Sequence, residues 1–200
     1  MRELRRNPWM SALGVALAIS VLLPAAAEAA RGRLVTARAG ILVDRQTGEV
    51  LWQHNPDVPL PPASTTKVVT AALALQSGEL DRSFAVSRKA AAEPPSNIRL
   101  RAGSSLALDD LVYAILLNSA NDASVVIAEG LSGSVPAFAA RMNVHAYTLG
   151  ARNSHFLNPN GLPAEGHVST ARDLATIFDH ALDLPGFRDV LETRARTIRT

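Results

Sequence analysis

Only two lysines occur among the 20 basic residues of this chain, and one of them, Lys67, stands three positions after Ser64. Residues three apart on a helix share a face, so the Ser64 hydroxyl and the Lys67 amine can meet there. A serine is a poor nucleophile until a neighbouring base takes its proton. A lysine at a helix start, close to the positive backbone N–H groups and partly out of water, has its pKa lowered toward neutrality and can be that base. Arginine, the default cation of this chain, cannot give up its proton. The same N–H groups can help stabilise the oxyanion formed when Ser64 attacks a carbonyl. With fifteen serines and two lysines in the sequence, chance supplies roughly 0.15 such Ser-x-x-Lys pairs. Taken alone, Ser64 also reads as a plain helix N-cap.

Ser119-Ala120-Asn121 is a second candidate. A second hydroxyl can shuttle a proton between base and leaving amine, and an Asn amide can bind a substrate amide and orient the lysine. By itself the spacing is weak and equally suits a polar break between two helices. Other chemistries find little support. The five histidines, His54, His145, His155, His167 and His180, show no tight metal spacing. A Ser-His-Asp triad assembles in space rather than in sequence, but there is no G-x-S-x-G elbow, no glycine-rich phosphate loop and no basic-aromatic stripe. His155 and His167 read as structural hydrogen-bonding residues, Lys89 as a surface charge and Asp109-Asp110 as helix-capping acids. No metal and no organic cofactor is implied.

These residues need elements to hold them. Residues 37–53 read as a hairpin, with Ile41-Leu42-Val43 and Val50-Leu51-Trp52 on either side of a polar turn bearing Gly48. Residues 55–63 form a proline-punctuated loop. Ser64 then opens a helix through about residue 76, with Val68, Val69, Ala72 and Leu75 as its core face and Gly78 as its stop. Residues 83–101 look extended and loop-like. Helices follow over 109–117, from 122 to about 131, and over 135–149, the last opened by Pro136 and closed by Gly150. Residues 155–166 form a loop rich in Asn, Pro and Gly. Ser169-Thr170 cap a helix carrying Leu174, Ile177, Phe178 and Leu182, and residues 190–200 turn strand-like. Strands, then helices, then strands again suit an α/β fold with an antiparallel sheet flanked by helices.

Composition narrows the class. A hydrophobic share of 48% supports a real core, and aromatics at 4% make it mostly Ala, Leu and Val. A net charge of +2 gives no argument for nucleic acid. The absence of cysteine excludes a disulfide framework, thiol catalysis and a lipoprotein anchor cysteine. Arg2, Arg5 and Arg6, an apolar run over residues 12–23 and Ala27-Glu28-Ala29 make a secretory signal peptide over residues 1–30. The mature domain then spans 31–200, exported to the periplasm or cell envelope. The alternative for the leader is an uncleaved membrane anchor.

Ser64–Lys67 followed by Ser119–Asn121 resembles the S-x-x-K and S-x-N signatures of penicillin-binding proteins and serine β-lactamases. More closely, Pro61-Pro62-Ala63-Ser64-Thr65-Thr66-Lys67 is similar to the low-molecular-mass D-alanyl-D-alanine carboxypeptidases, serine peptidase family S11. So are Asn118 to Ala123, Asn153 to Leu162 and Gly166 to Ala175. The resemblance implies the β-lactamase/transpeptidase-like fold and removal of the terminal D-alanine from peptidoglycan stem pentapeptides through an acyl-enzyme on Ser64. Lys67 would be the base, Ser119 a proton relay and Asn121 a substrate-binding group. β-Lactams would be covalent inhibitors. Ala120 stands where class A β-lactamases carry Asp. The family's third motif, Lys-Thr-Gly, is not in the sequence. In the family it follows soon after a tail such as 193–200, so the expectation is a domain incomplete at its C-terminus, its last strands missing. Alternatives are a D,D-endopeptidase and a non-catalytic peptidoglycan-binding or β-lactam-sensing relative. Peripheral membrane association would need a segment not present here.

Overall fold

The computed structural model describes residues 35–199, and the signal peptide expected over 1–30 lies outside them. The architecture is that of the compact unit beginning at Arg38. Its first element is the hairpin of β1 (Gly40–Val43) and β2 (Val50–His54), with Ile41 opposite Gln53 and Leu42 opposite Trp52. Asp44 shapes the turn: its Oδ1 accepts the N–H groups of Gln46 at 2.9 Å and Thr47 at 2.8 Å, an Asx turn.

The centre of the fold is α1 (Thr66–Gln76), entered through the 3-10 turn Ala63–Thr65. Around α1 pack α3 (Leu108–Leu117), α4 (Asn121–Ser132), α5 (Val135–Thr148), α6 (Ala171–Ala181) and α7 (Phe187–Glu192). One core face was expected for α1. Instead burial runs almost all round it: Val69, Ala71, Ala72 and Ala74 are fully buried, whereas Val68 and Leu75 are partly so. Alanine and threonine let neighbouring helices approach from several sides, and a helix enclosed in this way needs no apolar stripe.

The stretch read as extended over 83–101 is more ordered than expected. Strand β3 (Ser83–Ala85) pairs antiparallel with β4 (Ser105–Ala107), and the one-turn helix α2 (Arg88–Ala91) lies between them, capped by Ser87 Oγ. Gly130 on α4 permits this packing, because a Cβ there would lie 2.3 Å from the Phe84 ring. The described residues thus carry two separate two-stranded antiparallel sheets among helices.

Three further expectations meet a different structure. Thr170, not Ser169, caps α6, its Oγ1 accepting from Asp173 N at 3.1 Å. Asp109 and Asp110 sit in the first turn of α3 rather than capping it, and hold Arg196 at 2.6 and 2.7 Å. The tail is not strand-like. Residues Phe187–Glu192 form α7, because Phe187 and Val190, three apart, bury against the core. Beyond it Arg196 lies over the Tyr113 ring at 4.0 Å and no residue through 199 enters a strand.

Candidate active site

Ser64 is held by an unusual backbone. Ala63, just before it, has φ +49°, a region that a residue with a Cβ seldom enters. Gly161 lies against this turn at φ +82°, where a Cβ would sit 1.8 Å from Ala63 O, so only glycine fits. The Ser64 side chain faces a cleft of about 530 Å³ whose lining includes Pro61, Pro95, Asn121, Asn160, Leu162 and His167.

One turn along, Lys67 is 2% exposed. Its Nζ lies 3.3 Å from Ser64 Oγ, 2.9 Å from Asn121 Oδ1 and 2.6 Å from the backbone O of Asn160. Burial pushes its pKa down from 10.5 to about 8, because the charged form loses its hydration. As an ammonium it has three N–H groups for three acceptors. As a neutral amine it keeps two N–H groups for the two carbonyls, and its lone pair is left for the Ser64 hydroxyl proton.

Ser119 comes from the junction of α3 and α4. It has φ +57°, and its Oγ donates to Ser64 Oγ at 2.8 Å. Asn121, at the start of α4, uses both ends of its amide inside the protein: Oδ1 accepts from Lys67, and Nδ2 donates to Pro94 O at 3.0 Å. All four residues singled out by spacing therefore converge. The arrangement supplies a nucleophile with an amine on one side and a hydroxyl on the other, which suits transfer of an acyl group to Ser64 and onward.

Several contributors escaped the sequence reading. The loop 155–168 is pinned at its base by the bridge between His155 and Val168, and α1 grips its Pro159–Asn160 turn twice. Lys67 holds Asn160 O, and Thr70 Oγ1 donates to Pro159 O at 2.7 Å. A backbone carbonyl has no residue-type signature, although Asn-Pro-Asn-Gly marks the turn that presents it. Asp122, 1% exposed, accepts from Ile98 N and Leu100 N and so fixes the segment facing Asn121. His155 and His167, by contrast, are the structural hydrogen-bonding residues that the sequence suggests: His167 accepts from Leu157 N through Nδ1 and contacts Thr66 Oγ1 through Nε2, both at 3.0 Å. Burial lowers its pKa, with the charge of His155 adding to the effect. The neutral ring with its proton on Nε2 fits both contacts. His155 Nδ1 lies 2.9 Å from Gly166 O. Among the described residues no three His, Cys, Asp or Glu side chains are placed to hold a metal ion.

The fold is that of the penicillin-binding, transpeptidase-like proteins. A D-alanyl-D-alanine carboxypeptidase DacD structure from Francisella tularensis superposes with a TM-score of 0.75 at 32% identity, over 78% of this chain and 39% of that one. Within that class the chain belongs to the peptidase S11 family, D-alanyl-D-alanine carboxypeptidase, whose family model matches residues 25–195. The D-alanyl-D-alanine carboxypeptidase DacF of Bacillus subtilis (strain 168) is 41% identical over 144 residues, 70% of this chain and 37% of that protein. The D-alanyl-D-alanine endopeptidase of Pseudomonas aeruginosa PAO1 is 31% identical over 188 residues, 93% of this chain and 60% of that protein. The chain thus spans between 37% and 60% of the length of these two relatives.

Proposed function

We propose that the protein is a serine D-alanyl-D-alanine carboxypeptidase that removes the terminal D-alanine of peptidoglycan stem pentapeptides through an acyl-enzyme on Ser64. The observation carrying this reading is the placement of Lys67 Nζ, buried and 3.3 Å from Ser64 Oγ, with Ser119 Oγ 2.8 Å from the same oxygen. Lys67 takes the Ser64 proton as the hydroxyl attacks the penultimate carbonyl. Ser119 relays the proton that Lys67 took up to the departing D-alanine amine, which returns Lys67 to its neutral form, and water later releases the acyl group. Asn121 orients Lys67 and faces the substrate from the cleft wall. β-Lactams acylate the same serine. No metal or organic cofactor enters the scheme.

The chain carries this chemistry in the domain 31–200, behind a secretory leader over 1–30, and works in the periplasm or cell envelope. A second reading, D,D-endopeptidase, is supported by the likeness to the Pseudomonas endopeptidase over 93% of this chain. Incubating the protein with purified muropeptides separates the two. Pentapeptide monomers shortened with free D-alanine released support the carboxypeptidase, whereas cross-linked dimers converted to monomers support the endopeptidase. Neither product would refute both.

A further inference from the structure

Both residues whose carbonyls hold Lys67 are themselves held by one short segment, residues 93–96. On one side Asn160, 3% exposed, donates from Nδ2 to Glu93 Oε2 at 3.0 Å, while its Oδ1 accepts from Leu162 N at 3.1 Å. On the other, Asn121 donates from Nδ2 to Pro94 O at 3.0 Å and from its backbone N to Ser96 O at 2.7 Å. Glu93 is the ionisable member of this segment, and its carboxylate has one hydrogen-bond partner among the described residues, Asn160. Its surroundings do not favour a charge. Burial comes first in raising its pKa, Asp122 and Glu129 on α4 push the same way, and Lys89 on α2 and the Asn160 bond oppose them. A partly buried acid beside two other acids is a costly placement. Its use lies in what Asn160 needs.

We propose that Glu93 is a positioning residue for Lys67: by fixing the Asn160 side chain it holds the Asn160 backbone oxygen where it aims Lys67 Nζ at Ser64. This rests on Lys67 being the base for Ser64 acylation. No covalent step involves Glu93, which acts only through the neighbouring amide.

The test follows acylation by a fluorescent penicillin across pH for wild type, Glu93→Ala and Glu93→Gln, with melting temperature measured for each. In parallel, the Lys67 side chain is titrated by NMR with isotope-labelled lysine, in a Lys89→Arg background that leaves a single signal. Glu93→Ala should lower the alkaline plateau rate about tenfold, the scale expected when a catalytic group is slightly misplaced. It should also move the Lys67 titration downward, because an acceptor that favours the ammonium is loosened. Glu93→Gln keeps an oxygen that accepts from Asn160 Nδ2 and should restore the plateau to within about twofold. A Glu93→Ala protein with wild-type plateau and titration overturns the proposal, as does a Gln variant as slow as the Ala variant. Should Glu93→Ala not fold, Asn160→Ala reads the same contact from the other side, and an undiminished plateau there is equally contrary. If the wild type never labels at Ser64, the acyl-transfer reading fails on its own. The Lys67 titration then decides the structural claim: shifted in Ala and restored in Gln supports it, unshifted refutes it.

Discussion

Lys67 Nζ faces Ser64 Oγ at 3.3 Å, and its two remaining contacts are carbonyl oxygens, Asn121 Oδ1 and Asn160 O. A carbonyl oxygen can only accept. The neutral amine therefore spends its N–H groups on the two carbonyls and keeps its lone pair for the one partner that carries a removable proton. With the pKa lowered to about 8 by burial, the neutral amine is a minority at neutral pH and grows with alkalinity. The rate of Ser64 acylation should rise about tenfold per pH unit up to about pH 8 and then level off. A profile that stays flat from about pH 6 to about pH 9 would remove Lys67 from the role of base.

Replacing Lys67 by Arg keeps a cation and loses the lone pair. Lys67→Arg should acylate about 10² to 10⁴-fold more slowly, the range general-base catalysis contributes, and raising the pH should not rescue it. Rapid-mixing kinetics with a chromogenic β-lactam decide this, and a variant within threefold or so of wild type would contradict it.

The same lysine leaves a mark on stability. Its pKa is about 8 in the folded protein against 10.5 in the open chain, so between those values the unfolded state binds the extra proton. Stability conferred by the neutral amine is thus fully present above pH 10.5 and lost as pH falls toward about 8. Compared with Lys67→Met, wild type should gain about 3 kcal/mol across that window, from 1.36 kcal/mol per pKa unit. Urea unfolding of both proteins at several alkaline pH values measures it, and parallel pH curves would show that Lys67 is not depressed.

Ser119 and its backbone make separable contributions. Removing the hydroxyl in Ser119→Ala should slow acylation about ten- to a hundredfold with the fold intact, if the hydroxyl 2.8 Å from Ser64 is the proposed relay. Ser119→Gly should lose the same activity yet melt higher, because φ +57° costs a residue with a Cβ roughly 1 kcal/mol that glycine avoids. Equal melting temperatures for the two variants would contradict the backbone half of this claim.

How much of this was legible in the sequence depends on distance along the chain. Ser64 and Lys67 lie one helical turn apart, so periodicity alone places them together. Hairpin β1–β2 was legible from its apolar runs and from Gly48, and α5 from Pro136 and Gly150. Asn160 was not, because what it offers Lys67 is a backbone oxygen from 93 positions away. The three-residue strands β3 and β4 are too short for alternation to declare itself. The tail misled because isolated β-branched residues favour strands locally, while the buried pair Phe187 and Val190 favours a helix only once a core exists to receive it. The convergence of Ser119 on Ser64 depends on a left-handed residue with no glycine to announce it.

Gly161 offers a structural check on the cleft. Gly161→Ala forces a Cβ to 1.8 Å from Ala63 O, backbone against backbone, so the loop or the Ser64 turn must move. We expect a loss of about 2–4 kcal/mol from strain at a special backbone position, with acylation reduced in whatever remains folded. Gly48→Ala, at an open turn position with nothing within 4 Å, serves as the control and should cost about 1 kcal/mol. Similar melting temperatures for the two would mean that Gly161 does not clamp the turn.

The most direct test of the central claim is intact-mass analysis of the purified protein after incubation with a penicillin, followed by peptide mapping. We predict one adduct per chain, on Ser64, absent from Ser64→Ala. A folded protein that takes up no adduct, or a Ser64→Ala variant labelled as fully as wild type, would contradict the assignment of Ser64 as the acylated nucleophile.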